Sequence, residues 1–130
     1  NEVAVGEVVG DVAGRVCLLV DDMIDTAGTI CAAAQTLKDH GAQAVIAAAT
    51  HPILSGPAAE RLNASAFEEI IVTNTLPIAD ELDIPKLTVL SVAPLLAEAI
   101  GEEASLQARL HDASLVGLQL AIAAWLHLNA

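Results

Sequence analysis

The stretch Arg15-Val16-Cys17-Leu18-Leu19-Val20-Asp21-Asp22-Met23-Ile24-Asp25-Thr26-Ala27-Gly28-Thr29 decides how the chain folds. From Arg15 to Val20 it is an apolar run that ends on two carboxylates, the pattern of a strand covered on both faces and therefore of a buried parallel strand. Downstream, the alanine-rich span from Thr26 to His40 reads as a helix stopped by Gly41, and Ala44 to Thr50 is a second β-like run. Strand, loop, helix and strand make a βαβ unit. Ala58 to Ala64 reads as a short helix, Glu69 to Thr73 as a third strand, Leu87 to Ser91 as a fourth, and Pro94 to Ile100 as the start of a helix. Asn1 to Val9 alternates Val3 and Val5 with polar neighbours, as an edge strand or hairpin arm does. The expected fold is α/β: three α/β/α layers around a mostly parallel sheet of about five strands.

Composition narrows the function classes. A chain of 130 residues is one domain's worth, so residues 1–130 are read as a single domain. Its 55% hydrophobic content and mean hydropathy of +0.60 exclude general disorder. Five basic against 17 acidic residues give a formal charge of −12, which repels a phosphate backbone or an anionic lipid surface. With no tyrosine, one tryptophan and one phenylalanine, platforms for stacking bases are also missing. Neither nucleic acid nor membrane is expected as a partner. Cys17 and Cys31 read as small buried hydrophobes, without a disulfide framework. No basic stretch followed by an apolar run opens the sequence, and a cytoplasmic location is expected. His40, His111 and His127 share no metal-ligand spacing with a cysteine or with one another, so no metal site is expected.

The composition changes at Gly101. Glu102 to Arg109 reads as an ordinary helix. Leu115 to Leu128 is apolar on nearly every side and broken only by Gly117, Gln119 and His127. At about 1.5 Å per residue, Ser114 to Asn129 spans about 24 Å, short of the roughly 30 Å hydrocarbon core of a bilayer. Such a helix needs cover on more than one face, and a homo-oligomer formed through residues 115–128 is the expectation.

Chemistry concentrates where the first strand meets the first helix. In parallel α/β sheets, ligands bind outside the carboxyl ends of the strands. There the first N–H groups of a helix lack intrahelical partners and carry partial positive charge, which suits a phosphate. Thr26 and Thr29 offer hydroxyl donors to the same anion, and Gly28 allows close backbone approach. Asp21 and Asp22, at the strand end, suit a pair of vicinal hydroxyls such as those of a ribose, or a hard cation held through water. The bare structural alternative is that Asp25 and Thr26 only cap the helix.

Val20 to Thr29, with its Asp-Asp-Met-Ile-Asp-Thr-Ala-Gly-Thr core, resembles the phosphoribosyl diphosphate (PRPP) motif of type I phosphoribosyltransferase folds, and its wording is that of the ribose-phosphate pyrophosphokinase (PRPP synthetase) family. Gly10 to Arg15, Ala49 to Pro57, Val72 to Pro77 and Leu90 to Ile100 are similar, in order, to that family's C-terminal domain. The resemblance covers about residues 1–100, leaving 101–130 as a helical tail unlike the family. It implies that Asp25, Thr26, Ala27, Gly28 and Thr29 cradle the 5-phosphate of ribose 5-phosphate and that Asp21 and Asp22 bind its ribose hydroxyls. His51 is expected in the loop after the next strand, at the same cleft edge, either facing ligand or as a loop histidine without a task. Asn74 and Thr75 are expected to make only loop hydrogen bonds.

The resemblance also implies what is missing from residues 1–130. Family enzymes have two similar domains; the first supplies most of the ATP site and a catalytic histidine, and a basic loop lies just before the position matched by Asn1. Diphosphoryl transfer needs basic side chains and Mg²⁺ around the transferring group, and five scattered lysines and arginines form no such cluster. No catalytic residue is assigned, no cofactor is expected to be needed for folding, and Mg²⁺ is expected only in company with PRPP. Asp112 to Ala130 is similar to the family helix that precedes the basic loop, which implies a rearranged or engineered tail. Three functions stay open: an enzyme half that needs a partner chain for ATP, a module that binds ribose 5-phosphate or PRPP without turnover, and a rebuilt domain whose property is folding or self-assembly.

Overall fold

The computed structural model describes residues 8–101. Four strands, β1 (Val16–Ile24), β2 (Ala44–Pro52), β3 (Glu69–Thr73) and β4 (Leu87–Leu90), form one sheet in the order β1-β2-β3-β4. Every neighbouring pair is parallel. Helix α1 (Gly28–Asp39) joins β1 to β2, α2 (Ala58–Ala64) joins β2 to β3, and α3 (Ala93–Gly101) follows β4. The expected α/β class with a parallel sheet is what the chain forms. Of the expected edge strand, Val8 and Val9 carry no regular structure, and residues 1–7 lie outside the described ones. The expected helices at 102–109 and 115–128 also lie outside them.

Period-two alternation assigns the faces. Cys17 and Leu19 of β1, Val45, Ala47 and Ala49 of β2, and Ile70 and Val72 of β3 pack with Ile30 and Ala34 of α1 and Ala58 and Leu62 of α2 in the main core. Both helices therefore cover one face. On the other face Ala48 and Ile71 are fully buried against Ile46 and Leu90, so the middle of the sheet is buried on both sides.

Two strands run past their expected ends. β1 does not stop at Val20 but runs through both aspartates to Ile24, because its ladder with β2 continues from Asp21 opposite Ala49 to Ile24 opposite Pro52. Strand β2 likewise extends to Pro52, which places His51 inside the strand and not in the loop beyond it. At the other end of α1 the reading holds. Gly41, at φ 88°, takes the left-handed conformation that glycine adopts without steric cost. Its N–H bonds to Lys38 O (2.9 Å) and that of Ala42 to Leu37 O (3.0 Å), closing the helix as a Schellman motif.

Candidate functional site

Because all four strands run the same way, the loops after β1 and β2 emerge together at one edge of the sheet. The first is very short: β1 ends at Ile24, and α1 begins at Gly28, two residues later than Thr26. Ala27 intervenes with φ 61° and ψ 7°, a left-handed conformation rare for a residue with a side chain. Its methyl is buried in the main core, which holds the backbone there. Ala27 is the N-cap, and no side chain caps the helix. Capping by Asp25 or Thr26 is thus overturned, because the left-handed Ala27 displaces both from the capping position. The first N–H groups of α1 remain without a side-chain partner at the edge of a cleft of about 170 Å³.

Asp21, Met23, Ile24 and the run from Asp25 to Ile30 line that cleft. Its size suits a small anion with part of its carrier better than a whole nucleotide, whose sites run to roughly 300 Å³ and above. Of the seven residues singled out in the sequence, the structure brings six to the lining: Asp21, Asp25, Thr26, Ala27, Gly28 and Thr29. Asp22, next along an extended strand, falls on the opposite face and is exposed. The two aspartates still touch, since the Asp22 N–H donates to the Asp21 carboxylate at 2.8 Å. Asp25 has a different partner: its carboxylate accepts the hydroxyl hydrogen bond of Ser55, and its carbonyl accepts the Ser55 N–H at 3.1 Å.

Ser55 and Arg61 carry no signal in the local sequence pattern, yet both hold the loop. Ser55 lies between β2 and α2, where Leu54 N–H also donates to Ile24 O at 2.9 Å. Arg61, on α2, donates from Nη1 to the Thr26 carbonyl at 2.9 Å. A Cβ on Gly28 would lie 3.3 Å from that same Nη1. Glycine at position 28 thus makes room for the guanidinium. Their only advance sign was the position of Ser55 in the family-like Ala49–Pro57 segment.

Beside the cleft, His51 stands opposite Met23 in the β1–β2 register. Its Nδ1 lies 2.9 Å from Thr75 Oγ1, which donates in turn to Thr50 O (3.0 Å), and Thr73 Oγ1 donates to the same carbonyl at 2.7 Å. The ring is therefore tied to the turn after β3. Asn74 bridges to the end of β4 through Val92 N–H (2.9 Å) and so makes the loop hydrogen bonds expected of it. Cys17 and Cys31 are free thiols, each half-buried. Burial pushes the Cys31 thiol above its ordinary value, against the opposing pull of Arg61 and Lys86. Among the described residues no group of three or more His, Cys, Asp or Glu side chains could hold a metal ion. Two aspartates alone do not make a protein cage for Mg²⁺, which would have to bring most of its oxygen ligands from a bound diphosphate and water.

A parallel sheet flanked by helices, with a small cleft at its carboxyl edge, makes this an α/β domain, the class of fold that the resemblance to type I phosphoribosyltransferases implied. Residues 4–108 match the phosphoribosyl synthetase-associated domain, and the chain belongs to that family. It is 63% identical over 102 residues to the ribose-phosphate pyrophosphokinase of Streptomyces coelicolor, covering 78% of this chain and 32% of that protein. The Helicobacter hepaticus ribose-phosphate pyrophosphokinase is 56% identical over 100 residues, 77% of this chain and 32% of its own. The crystal structure of phosphoribosylpyrophosphate synthetase from Mycobacterium smegmatis superposes with a TM-score of 0.68 at 58% identity, covering 71% of this chain and 31% of that one. The chain thus spans about a third of the length of these relatives.

Proposed function

We propose that residues 1–130 are the ribose-5-phosphate half of a ribose-phosphate pyrophosphokinase, equivalent to the C-terminal domain of its relatives, and that the cleft binds the phosphate of ribose 5-phosphate or PRPP. The observation that carries this reading is the uncapped start of α1 beside the left-handed Ala27, with Thr26 and Thr29 at the same cleft. A dianion there takes up N–H groups that no side chain among the described residues satisfies. Asp21, which lines the cleft, takes the ribose hydroxyls there, and Asp22, on the opposite face of the strand, reaches them only if it turns over the strand end. Mg²⁺ enters only with the diphosphate of PRPP, and the chain needs no cofactor to fold.

By themselves these residues make no PRPP. Five lysines and arginines in the whole chain supply no basic clamp for a transferring diphosphoryl group. The work of the domain is to hold the acceptor sugar, in the cytoplasm, as a homo-oligomer joined through residues 115–128. Among the described residues no helix is long and apolar enough to cross a membrane. Whether residues 101–130 are a rearranged or engineered tail is read by comparing their path with that of the relatives in a crystal structure of the whole chain.

Isothermal titration with ribose 5-phosphate, with ribose as the control, tests the central point. Saturable heat with the phosphate ester and none with the sugar is expected, and no heat with either overturns the reading. An AMP-release assay with ATP, ribose 5-phosphate and Mg²⁺ is expected to stay at background. Release that tracks protein concentration, in a preparation free of host enzyme, would overturn the predicted inactivity.

A further inference from the structure

We infer that Arg61 is a positioning residue for the phosphate group, a guanidinium that charges the back of the Asp25–Thr29 loop without entering the cleft. This inference rests on the proposed phosphate site.

Two separate observations place the charge. Nη1 donates to the Thr26 carbonyl at 2.9 Å, and it lies 3.3 Å from where a side chain on Gly28 would begin. Thr26 and Gly28 both line the cleft, so the guanidinium sits directly behind its wall. The remaining cations of the described residues are engaged elsewhere: Arg15 pairs with Asp11 at 4.0 Å, Lys38 donates to Gln43 O, and Lys86 to Ser65 O. No carboxylate among the described residues lies within ion-pair range of Arg61. Among the described residues its charge is therefore not neutralised by an ion pair, beside a loop that itself carries Asp25, in a chain of formal charge −12.

That chain repels a dianion at long range. A site for phosphate on it needs a local positive potential, and the helix terminus offers only about half a charge. Arg61 adds a whole one. Through the Thr26 carbonyl it also fixes the peptide that leads into the left-handed Ala27, and with it the direction of the following N–H groups. The rival account gives Arg61 a purely structural role, as a prop for the loop and a cation in the last turn of α2.

Charge and propping separate in three variants of the full chain, titrated with ribose 5-phosphate. Arg61→Gln keeps an N–H donor for Thr26 O and removes the charge; affinity is expected to fall roughly three- to tenfold at low salt. Raising the ionic strength is expected to shrink that ratio, because screening acts on charge and not on a prop. Arg61→Lys, which retains the charge, is expected to recover most of the affinity, whereas Gly28→Ala, which crowds the guanidinium, is expected to lose it. Equal affinities of wild type and Arg61→Gln, a ratio indifferent to salt, or an Arg61→Lys variant no better than Arg61→Gln would each overturn the inference while leaving the phosphate site intact. No binding by the wild-type chain fails the site itself, and the inference with it.

Discussion

The Ser55 hydroxyl donates to the Asp25 carboxylate across thirty residues of sequence, pinning the loop after β2 to the loop after β1. Two backbone bonds run alongside it, Ser55 N–H to Asp25 O and Leu54 N–H to Ile24 O. Asp25 therefore acts on the cleft through its own loop, and in the proposed function the phosphate is left to the N–H groups that follow. A carboxylate facing a phosphate would repel it; a carboxylate already engaged by a hydroxyl holds the loop in place.

Ser55→Ala removes that side-chain bond and leaves the backbone pair. Both side chains reach solvent, so the loss of stability is expected below the range for a buried bond to a charged group, about 1 kcal/mol. Ribose 5-phosphate affinity should fall with it, since a loosened loop pays more entropy on ordering. Urea denaturation and titration of the same preparation check both; unchanged affinity would separate the clamp from the site.

Thr29→Val keeps the shape of a side chain that lines the cleft and removes its hydroxyl. A weakening of roughly 1–2 kcal/mol in ribose 5-phosphate binding is expected, without a change in stability of similar size. Identical titration curves for the two proteins would place the phosphate elsewhere.

Position 27 tests the backbone. Ala27→Gly relieves the left-handed residue but gives up a buried methyl worth about 0.8 kcal/mol, so the net change is expected within about 1 kcal/mol of zero. Ala27→Val puts a β-branched side chain at φ 61° and is expected to cost about 2 kcal/mol or more, with loss of ligand binding. A valine variant as stable as wild type would show that the loop adopts another conformation in solution.

What the sequence disclosed and what it hid have physical causes. Helix α2 and strand β3 begin and end at the expected residues because each is bounded by its own local signals, Pro57 before Ala58 and the switch to β-branched residues after Glu69. β1 outran its reading because two adjacent aspartates look like a stop, whereas its ladder with β2 carries the strand on to Ile24. The start of α1 was hidden for a related reason: the packing of the Ala27 methyl and the Arg61 bond to the Thr26 carbonyl hold the turn left-handed, and both are tertiary facts. The loop residues themselves were legible, as type and spacing. Ser55 and Arg61 were not, because their partners lie thirty and thirty-five positions away and neither bond leaves a periodic trace.

Alkaline pH should weaken the fold through Cys31. Burial raises its folded-state pKa above the ordinary 9.0. Below the unfolded value the thiol is protonated in both states, and its contribution is fully present. As pH rises through the window up to the folded value, the unfolded chain gives up its proton first, and stability is lost. Urea midpoints measured from about pH 8 to about pH 10 are expected to fall, and less steeply for Cys31→Ala. The chain has no tyrosine to confuse the comparison. Parallel profiles for the two proteins would show that the thiol is equally solvated in both states.

The last expectation concerns association. On β1, an edge strand among the described residues, Val16, Leu18 and Val20 alternate with Cys17 and Leu19, which pack against the core, and are 59%, 43% and 58% exposed. Three adjacent apolar side chains on an open sheet face are a natural contact surface. Leu115 to Leu128 adds more apolar side chains than a single sheet-facing stripe can use. Burying one leucine or isoleucine is worth roughly 1.5–3 kcal/mol, so a few per subunit offset the cost of association. Opposing it is repulsion between two chains of charge −12, which salt screens. Sedimentation velocity over a concentration series should therefore show a dimer or larger species that tightens as salt is added. Leu18→Lys, which sets a charge in the middle of the β1 face, should weaken it if that face takes part and leave it unchanged if residues 115–128 act alone. A strictly monomeric chain at high micromolar concentration and moderate salt would show that these surfaces are covered within one chain, and the oligomer would have to be abandoned.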